Sequence, residues 1–140
     1  MKNLFRQFLK IKHFFHKKVS VMREDWDVLI ILDALRYDIA SINKEAISFN
    51  FNISKKISKG SSSPDFITKN FKENYFNTIV IASNPYVHKL KPKNFFLIVN
   101  AWDENWDESK GTVLPEDMHS LYLKYKSKYP NKRFIVWYMQ

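Results

Sequence analysis

Apolar positions along the chain form short unbroken runs separated by stretches of helical spacing. The runs are Val28 to Leu32, residues 76–83 (Phe-Asn-Thr-Ile-Val-Ile-Ala-Ser), residues 94–101 (Asn-Phe-Phe-Leu-Ile-Val-Asn-Ala) and Phe134 to Met139. A short continuous run of this kind predicts a strand covered on both faces, as in a parallel sheet. We therefore expect strands over about 26–33, 76–83, 94–101 and 134–139. Helices are expected over about 35–44, over 64–73 with Pro64 in the first turn, and over 115–128 with Met118, Leu121, Tyr122 and Tyr125. Residues 46–57 alternate apolar and polar, which predicts a half-exposed strand with Ile47, Phe49, Phe51 and Ile53 on one face. Strands alternating with helices imply an α/β fold with a mostly parallel sheet and helices on both faces.

A different pattern occupies the start of the chain. Leu4, Phe8, Ile11, Phe15 and Met22 follow helical spacing, with Phe5, Leu9 and Val19 widening the stripe and Lys2, Arg6, Lys10, His13 and Lys17 opposite. This predicts an amphipathic helix over 2–22. Charge sets it apart from the rest. Residues 1–23 carry seven of the 23 basic residues and no acid, so most of the formal +9 belongs to this arm and residues 24–140 are close to neutral. We divide the chain into a basic helical arm, 1–23, and one α/β domain, 24–140. A basic helix with a Phe/Leu face can lie on a membrane surface or pack against its own domain or a partner. A basic signal confined to an arm does not favour specific nucleic-acid binding, which prefers a basic face on the folded domain.

Composition narrows the chemistry. The 140 residues include no cysteine, which excludes disulfides and thiolate metal sites. Only two glycines, Gly60 and Gly111, are present, so no glycine-rich phosphate loop can be built. No apolar stretch reaches signal-peptide or membrane-span length, and we expect a cytoplasmic protein, peripheral at most.

Two places have candidate site residues. Asp33 follows the aliphatic run directly, and parallel sheets bind ligands at the carboxyl ends of their strands. Arg36 and Asp38 lie just beyond, and capping the next helix is an equally good role for Asp33. Ser61-Ser62-Ser63-Pro64 opens the helix over 64–73. Ser62 or Ser63 suits an N-cap there. A hydroxyl at a helix N-terminus also meets backbone N–H groups that favour a phosphate or sulfate. The acids of 102–108 lack the spacing of a calcium loop, and Lys89, Lys91 and Lys93 read as a solvated loop.

Taken together, Val28-Leu29-Ile30-Ile31-Leu32-Asp33-Ala34-Leu35-Arg36-Tyr37-Asp38 resembles the first motif of the alkaline phosphatase superfamily, closest to its sulfatase-like and PglZ branches. There an apolar strand delivers an Asp followed by Leu-Arg and a second Asp. Gly60-Ser61-Ser62-Ser63-Pro64 stands where that family places its nucleophile. Ser83-Asn84-Pro85-Tyr86, Gly111-Thr112-Val113-Leu114-Pro115-Glu116 and the run from Phe134 to Gln140 resemble archaeal sulfatase-like proteins. The resemblance covers roughly residues 25–140. It implies Asp33 as a metal ligand and Ser62 as the nucleophile with its oxygen on the metal, with Ser63 or Ser61 as the fallback. The cofactor would be a divalent cation (zinc, manganese, magnesium or calcium), and the substrate an anionic phosphate or sulfate ester. Formylglycine-forming sulfatases carry an Arg two positions after the Pro, where this chain has Phe66, so phosphoester chemistry is favoured. The family's remaining metal ligands, an Asp/His set, have no counterpart here. We therefore expect an N-terminal portion of an alkaline phosphatase-like domain, incomplete at its C-terminus, whose natural chain continues past Gln140. The alternative is a non-catalytic α/β interaction module that uses the basic helix.

Overall fold

Two runs are buried throughout, Ile79 to Ala82 and Phe134 to Trp137, and no member is more than 2% exposed. Their place in the sheet explains this. A computed structural model describes residues 18–46 and 50–139. Its main sheet holds β2 (Val28–Leu32), β8 (Arg133–Tyr138), β4 (Tyr75–Ala82) and β5 (Phe95–Asn100), in that order and all parallel. The two buried runs are the two central strands. Two further two-stranded pairs flank it: β1 (Lys18–Val19) with β3 (Ile57–Ser58), and β6 (Trp106–Asp107) with β7 (Thr112–Val113). The helices are α1 (Tyr37–Ile42), α2 (Ser63–Asn70), α3 (Trp102–Asn105) and α4 (Pro115–Lys128).

Side chains alternate across the sheet, which gives it two cores. Val80, Ala82, Ile135 and Trp137 face α2, where Ile67 and Phe66 meet them together with Leu29 and Ile31. Ile79, Ile81, Phe134 and Val136 face α4, where Met118, Leu121, Tyr122 and Tyr125 cover them. Each fully buried side chain of this size contributes roughly 1.5–3 kcal/mol. The α/β class with a parallel sheet and helices on both faces is therefore observed, and α4 spans the residues its pattern predicts.

Several expectations need correction. β2 is an edge strand, not a strand covered on both faces. Its free edge has no partner among the described residues, and Ile30 and Leu32 are 58% and 38% exposed. An aliphatic run records strand propensity and says nothing of the strand's place in the sheet. α1 likewise leaves Tyr37, Ile39 and Ile42 exposed. Among the described residues of the alternating segment 46–57, regular strand begins only at Ile57 (β3, Ile57–Ser58), and Ile47 and Phe49 lie outside the described residues. Alternation gives a segment two faces without fixing its pairing; Phe51 and Ile53 are half-buried. Residues 102–108 form α3 and the first strand of a hairpin. Asp107 turns that hairpin by accepting from Ser109 N at 2.8 Å and Lys110 N at 3.1 Å, a structural use of the acid.

The predicted helix over 2–22 does not reach its end. Lys18–Val19 is strand and Val21–Arg23 is a single 3-10 turn. Residues 1–17 lie outside the described residues. Residues 18–23 belong to the folded unit: Val21 N donates to Asn70 Oδ1 at 3.1 Å, Trp26 Nε1 donates to Val21 O at 2.8 Å, and Met22 packs on the α2-side core. Arg133 then fixes the entry to β2, donating from Nε to Trp26 O at 2.9 Å with its guanidinium 3.7 Å from the Trp26 ring centre. Among the described residues no helix is long and apolar enough to cross a membrane.

Gly60 sets how closely the loop after β3 approaches α2. A Cβ placed there would stand 2.3 Å from both the backbone N and Cα of Phe66. Backbone atoms cannot step aside as a flexible side chain can, so Gly60→Ala is expected to lower unfolding free energy by about 1–3 kcal/mol. Urea denaturation of the two proteins measures it, and unchanged stability would show that the loop can move off the helix.

Candidate active site

The carboxyl edge of the sheet brings three polar side chains together from distant parts of the chain. The first is Asp33, directly after β2, whose N–H donates to Tyr138 O at 3.1 Å and so extends the ladder by one step. The second is Ser63, the first residue of α2. The third is Asn84, two residues past β4 and 2% exposed. Asp33 and Asn84 sit at the ends of strands that are not neighbours in the sheet. Both neighbour β8, and the ladder registers place both level with Met139.

Each contact within the group is specific. Ser63 Oγ donates to Asp33 Oδ2 at 3.1 Å. Asn84 Nδ2 donates to the same Oδ2 and, at 3.1 Å, to Ser63 Oγ. The amide's orientation follows from its other end, because Asn84 Oδ1 accepts from Tyr86 N at 2.9 Å and a backbone N–H can only donate. Among the described residues nothing donates to Asp33 Oδ1. One carboxylate oxygen is thus taken twice and the other is left open.

Local sequence accounts for the backbone that holds Asp33. Leu35 N donates to Leu32 O at 3.2 Å, closing a turn in which Ala34 has a φ of +61°. A left-handed conformation at a residue with a Cβ costs roughly 1–2 kcal/mol. The strain falls on the residue beside the carboxylate, where strained backbone is commonly part of a functional arrangement. The turn leads Arg36 away from Asp33: Arg36 binds Asp38 in a two-point pair at 3.0 and 2.6 Å, with 72% of its side chain exposed. The Arg36 hydrogen bond holds the Asp38 carboxyl below the usual carboxylate range.

The helix start divides the serines. Ser62 is the N-cap: its backbone is extended and its Oγ accepts from Asp65 N at 3.4 Å. Asp65 Oδ2 reaches back to Ser61 N at 3.2 Å and pairs with Lys69 at 2.7 Å. The Lys69 hydrogen bond first, and the Ser61 N–H after it, hold the Asp65 carboxyl below its ordinary range. The capping role considered for Ser62 or Ser63 falls to Ser62, and the hydroxyl that faces Asp33 is that of Ser63. The expected cradle of N–H groups is thin. Pro64 has none, the Asp65 N–H is spent on the cap, and the Asp65 carboxylate adds negative charge to the helix start.

Asn84 was not singled out from the sequence as a site residue, although Ser83-Asn84-Pro85-Tyr86 is one of the stretches that carry the resemblance. Its one local signal is a polar side chain directly after a run of buried aliphatics. Beneath the group, on the same face, Trp137 packs edge-on against Phe66 with ring centres 5.6 Å apart, and its buried Nε1 has no partner among the described residues. Ser83 completes the setting, donating from Oγ to Trp137 O at 3.2 Å and accepting from Met139 N at 2.7 Å.

No set of three or more His, Cys, Asp or Glu side chains converges among the described residues. His88 is tied by Nδ1 to Pro85 O at 2.6 Å, and His119 lies on α4 beside Tyr122. The residues that could hold a cation are Asp33 and Ser63, whose oxygens lie 3.1 Å apart and converge on one positively polarised group, the Asn84 amide nitrogen. One carboxylate and one hydroxyl are fewer oxygen ligands than a hard divalent cation takes from a protein site of its own, and the amide nitrogen stands where their lone pairs converge. No family model, no curated protein and no solved structure matches this chain.

The Ala34 turn is testable through side-chain shape. Ala34→Val puts a β-branched residue in the left-handed region and is expected to reduce stability by about 1–3 kcal/mol, whereas Ala34→Gly leaves it unchanged or raises it by up to about 1 kcal/mol. Thermal denaturation of both variants decides, and equal melting temperatures would mean the turn carries no strain.

Proposed function

We propose that this chain carries the nucleophile-bearing part of a phosphoric- or sulfuric-ester hydrolase or transferase of the alkaline phosphatase-like, sulfatase-like type, with Ser63 as the nucleophile. The observation that carries this reading is the hydrogen bond from Ser63 Oγ to Asp33 Oδ2, 3.1 Å long, at the carboxyl edge of a parallel sheet. The resemblance of residues 28–38 and 60–64 to that superfamily supports it from the sequence side. Phosphoesters are favoured over sulfate esters because Phe66 stands where the formylglycine-forming sulfatases need an Arg. The absence of cysteine agrees with a cytoplasmic setting.

In this reading Asp33 takes the Ser63 proton as Oγ forms its bond to phosphorus and the bond to the leaving alcohol breaks. Asn84 Nδ2 donates to Oγ throughout, which steadies the charge that gathers there as the proton leaves. The leaving oxygen takes a proton from solvent. Water or an acceptor alcohol then attacks phosphorus and releases its proton to solvent, the bond from phosphorus to Ser63 Oγ breaks, and Oγ recovers its proton from Asp33. The divalent cation that the resemblance implies would have the open Asp33 Oδ1 as its ligand here and would neutralise the anionic oxygens of the ester.

A second reading, a non-catalytic interaction module, draws on one observation. Ile30, Leu32, Leu35, Tyr37, Ile39 and Ile42, all on or directly after the edge strand, are exposed. Apolar groups in such number on one short segment suit a partner or a membrane surface. The basic residues of 1–23 would add attraction to an anionic one.

The serines separate the readings. Ser63→Ala is expected to abolish covalent labelling by a phosphonylating reagent and to reduce divalent-dependent cleavage of an aryl phosphate at least a hundredfold. Ser62→Ala should keep both while losing about 1 kcal/mol of stability through the missing cap. Mass spectrometry of the labelled peptide and aryl phosphate turnover are the measurements. Full activity in Ser63→Ala would sink the mechanism. Binding to anionic vesicles that survives Ser63→Ala, with no turnover in any variant, would favour the second reading.

A further inference from the structure

We propose that the cavity at the closing end of α2 binds a phosphate monoester, carried by a free small molecule or by a lipid headgroup. The inference is independent of the reading just given. Ser63 opens α2 and Asn70 closes it, and none of Asp33, Ser63 and Asn84 lines this cavity.

Tertiary structure gathers the cations of this cavity from three places. Arg23 ends the 3-10 turn after β1, Lys59 follows β3, and Lys69 and Lys72 stand on either side of Asn70. Asn70 fixes the join. It is 3% exposed, its Oδ1 accepts from Val21 N at 3.1 Å, and its Nδ2 donates to Phe66 O at 3.0 Å. Tyr75 Oη donates to Asn70 O at 3.1 Å. These polar atoms are satisfied within the protein, but the charges around them are not. Lys69 pairs with Asp65 at 2.7 Å, whereas Arg23, Lys59 and Lys72 make no ion pair among the described residues. Glu73 is the one carboxylate among the described residues of the lining. With Lys69 set against Asp65, three cations and one anion remain. Like charges held around one small space repel, and a dianion relieves them together. Lysines suit the carbonyls at a helix C-terminus, which accounts for Lys69 and Lys72. It does not account for Arg23 and Lys59, which come from elsewhere in the chain, and Lys59 is half-buried. Size narrows the ligand. The cavity holds about 60 Å³, against a share of about 30 Å³ for one water in the liquid. That is room for one tetrahedral oxyanion and not for a sugar or a base. A phosphate monoester brings roughly −1.5 to −2 of charge at neutral pH and three acceptor oxygens, which match the net charge of the wall and its three unpaired cations. A phosphodiester or a carboxylate brings only a single charge.

Glycerol phosphate serves as the free monoester, titrated calorimetrically into the full chain at constant ionic strength. Its affinity should fall about tenfold in Arg23→Gln and in Lys59→Gln, each of which removes one charge-assisted hydrogen bond. Glu73→Gln removes the one opposing charge and should bind more tightly, a gain that a folding defect cannot imitate. Lys91→Gln, outside the cavity, should change nothing. Affinity should also drop below the second phosphate pKa of about 6, where the dianion is lost. Phosphatidylcholine vesicles containing phosphatidic acid, or phosphatidylserine in its place, present the headgroup. The basic arm attracts both kinds, so dependence on Lys59 is what counts. A preference for phosphatidic acid that disappears in Lys59→Gln assigns the ligand to a membrane, and binding of glycerol phosphate without that preference assigns it to a free compound. Responses to both probes that are unchanged in Arg23→Gln and Lys59→Gln would overturn the proposal, as would no response to either probe in the natural chain. Binding lost in Ser63→Ala and kept in Lys59→Gln would put the phosphate at the carboxyl edge and overturn it as well.

Discussion

The site depends on one strand. β8 lies between β2 and β4, and those two strands are not paired with each other. Asp33 is carried by the first and Asn84 follows the second, so their contact exists only because β8 holds both ends level. The chain reaches β8 last among its strands. Its pairing with β2 therefore closes the longest loop in the sheet, from Val28 to Phe134, and links of this sequence separation form late and slowly. Ser83 reinforces the join at the point of need. Its hydroxyl bonds Trp137 O and Met139 N, which ties the end of β4 to the end of β8 immediately below the three polar side chains. Disturbing β8 would remove the one partner that β2 has among the described residues and with it the contact of Asp33 with Asn84.

This dependence explains what could be read from the sequence. The strands β2, β4, β5 and β8 and the helices α2 and α4 were legible because each is a local pattern: an aliphatic run, or an apolar stripe behind a proline. Asp33 was legible for the same reason, as a carboxylate at the tip of such a run. Strand order is not local. Nothing in Val28 to Leu32 distinguishes an edge strand from a central one, and its five aliphatics suggested burial that Ile30 and Leu32 do not have. Asn84 was missed on the same account. Its significance comes from contacts with residues 51 and 21 positions away, and both require the sheet order to be known. The alternating segment 46–57 shows the converse error, a clear local signal that among the described residues becomes regular strand only at its end, where Ile57 pairs with Lys18.

The serines show a finer limit, one that helix geometry resolves. Three consecutive hydroxyls precede or start α2, and composition cannot rank them. The N-cap residue has extended backbone and turns its side chain back over the first turn, where it accepts from the N–H three residues on. A hydroxyl so engaged faces along the helix, and that is the situation of Ser62. The next residue already has helical backbone, so its Cβ leaves in another direction and its hydroxyl is not needed by the helix. Ser63 is in that position, one step from the cap, and it is the serine that meets Asp33. Asp65 follows from the same logic. A sequence built for a formylglycine site would place its Arg at the position of Phe66, but here Phe66 packs on Trp137 and Asp65 serves the cap. The segment thus divides its work: Ser62 and Asp65 hold the helix start, Phe66 anchors it to the sheet, and the Ser63 hydroxyl is left to face Asp33. A nucleophile adjacent to the cap can lose its proton without weakening the helix that positions it, whereas a capping serine could not attack an ester without giving up its hold on the helix.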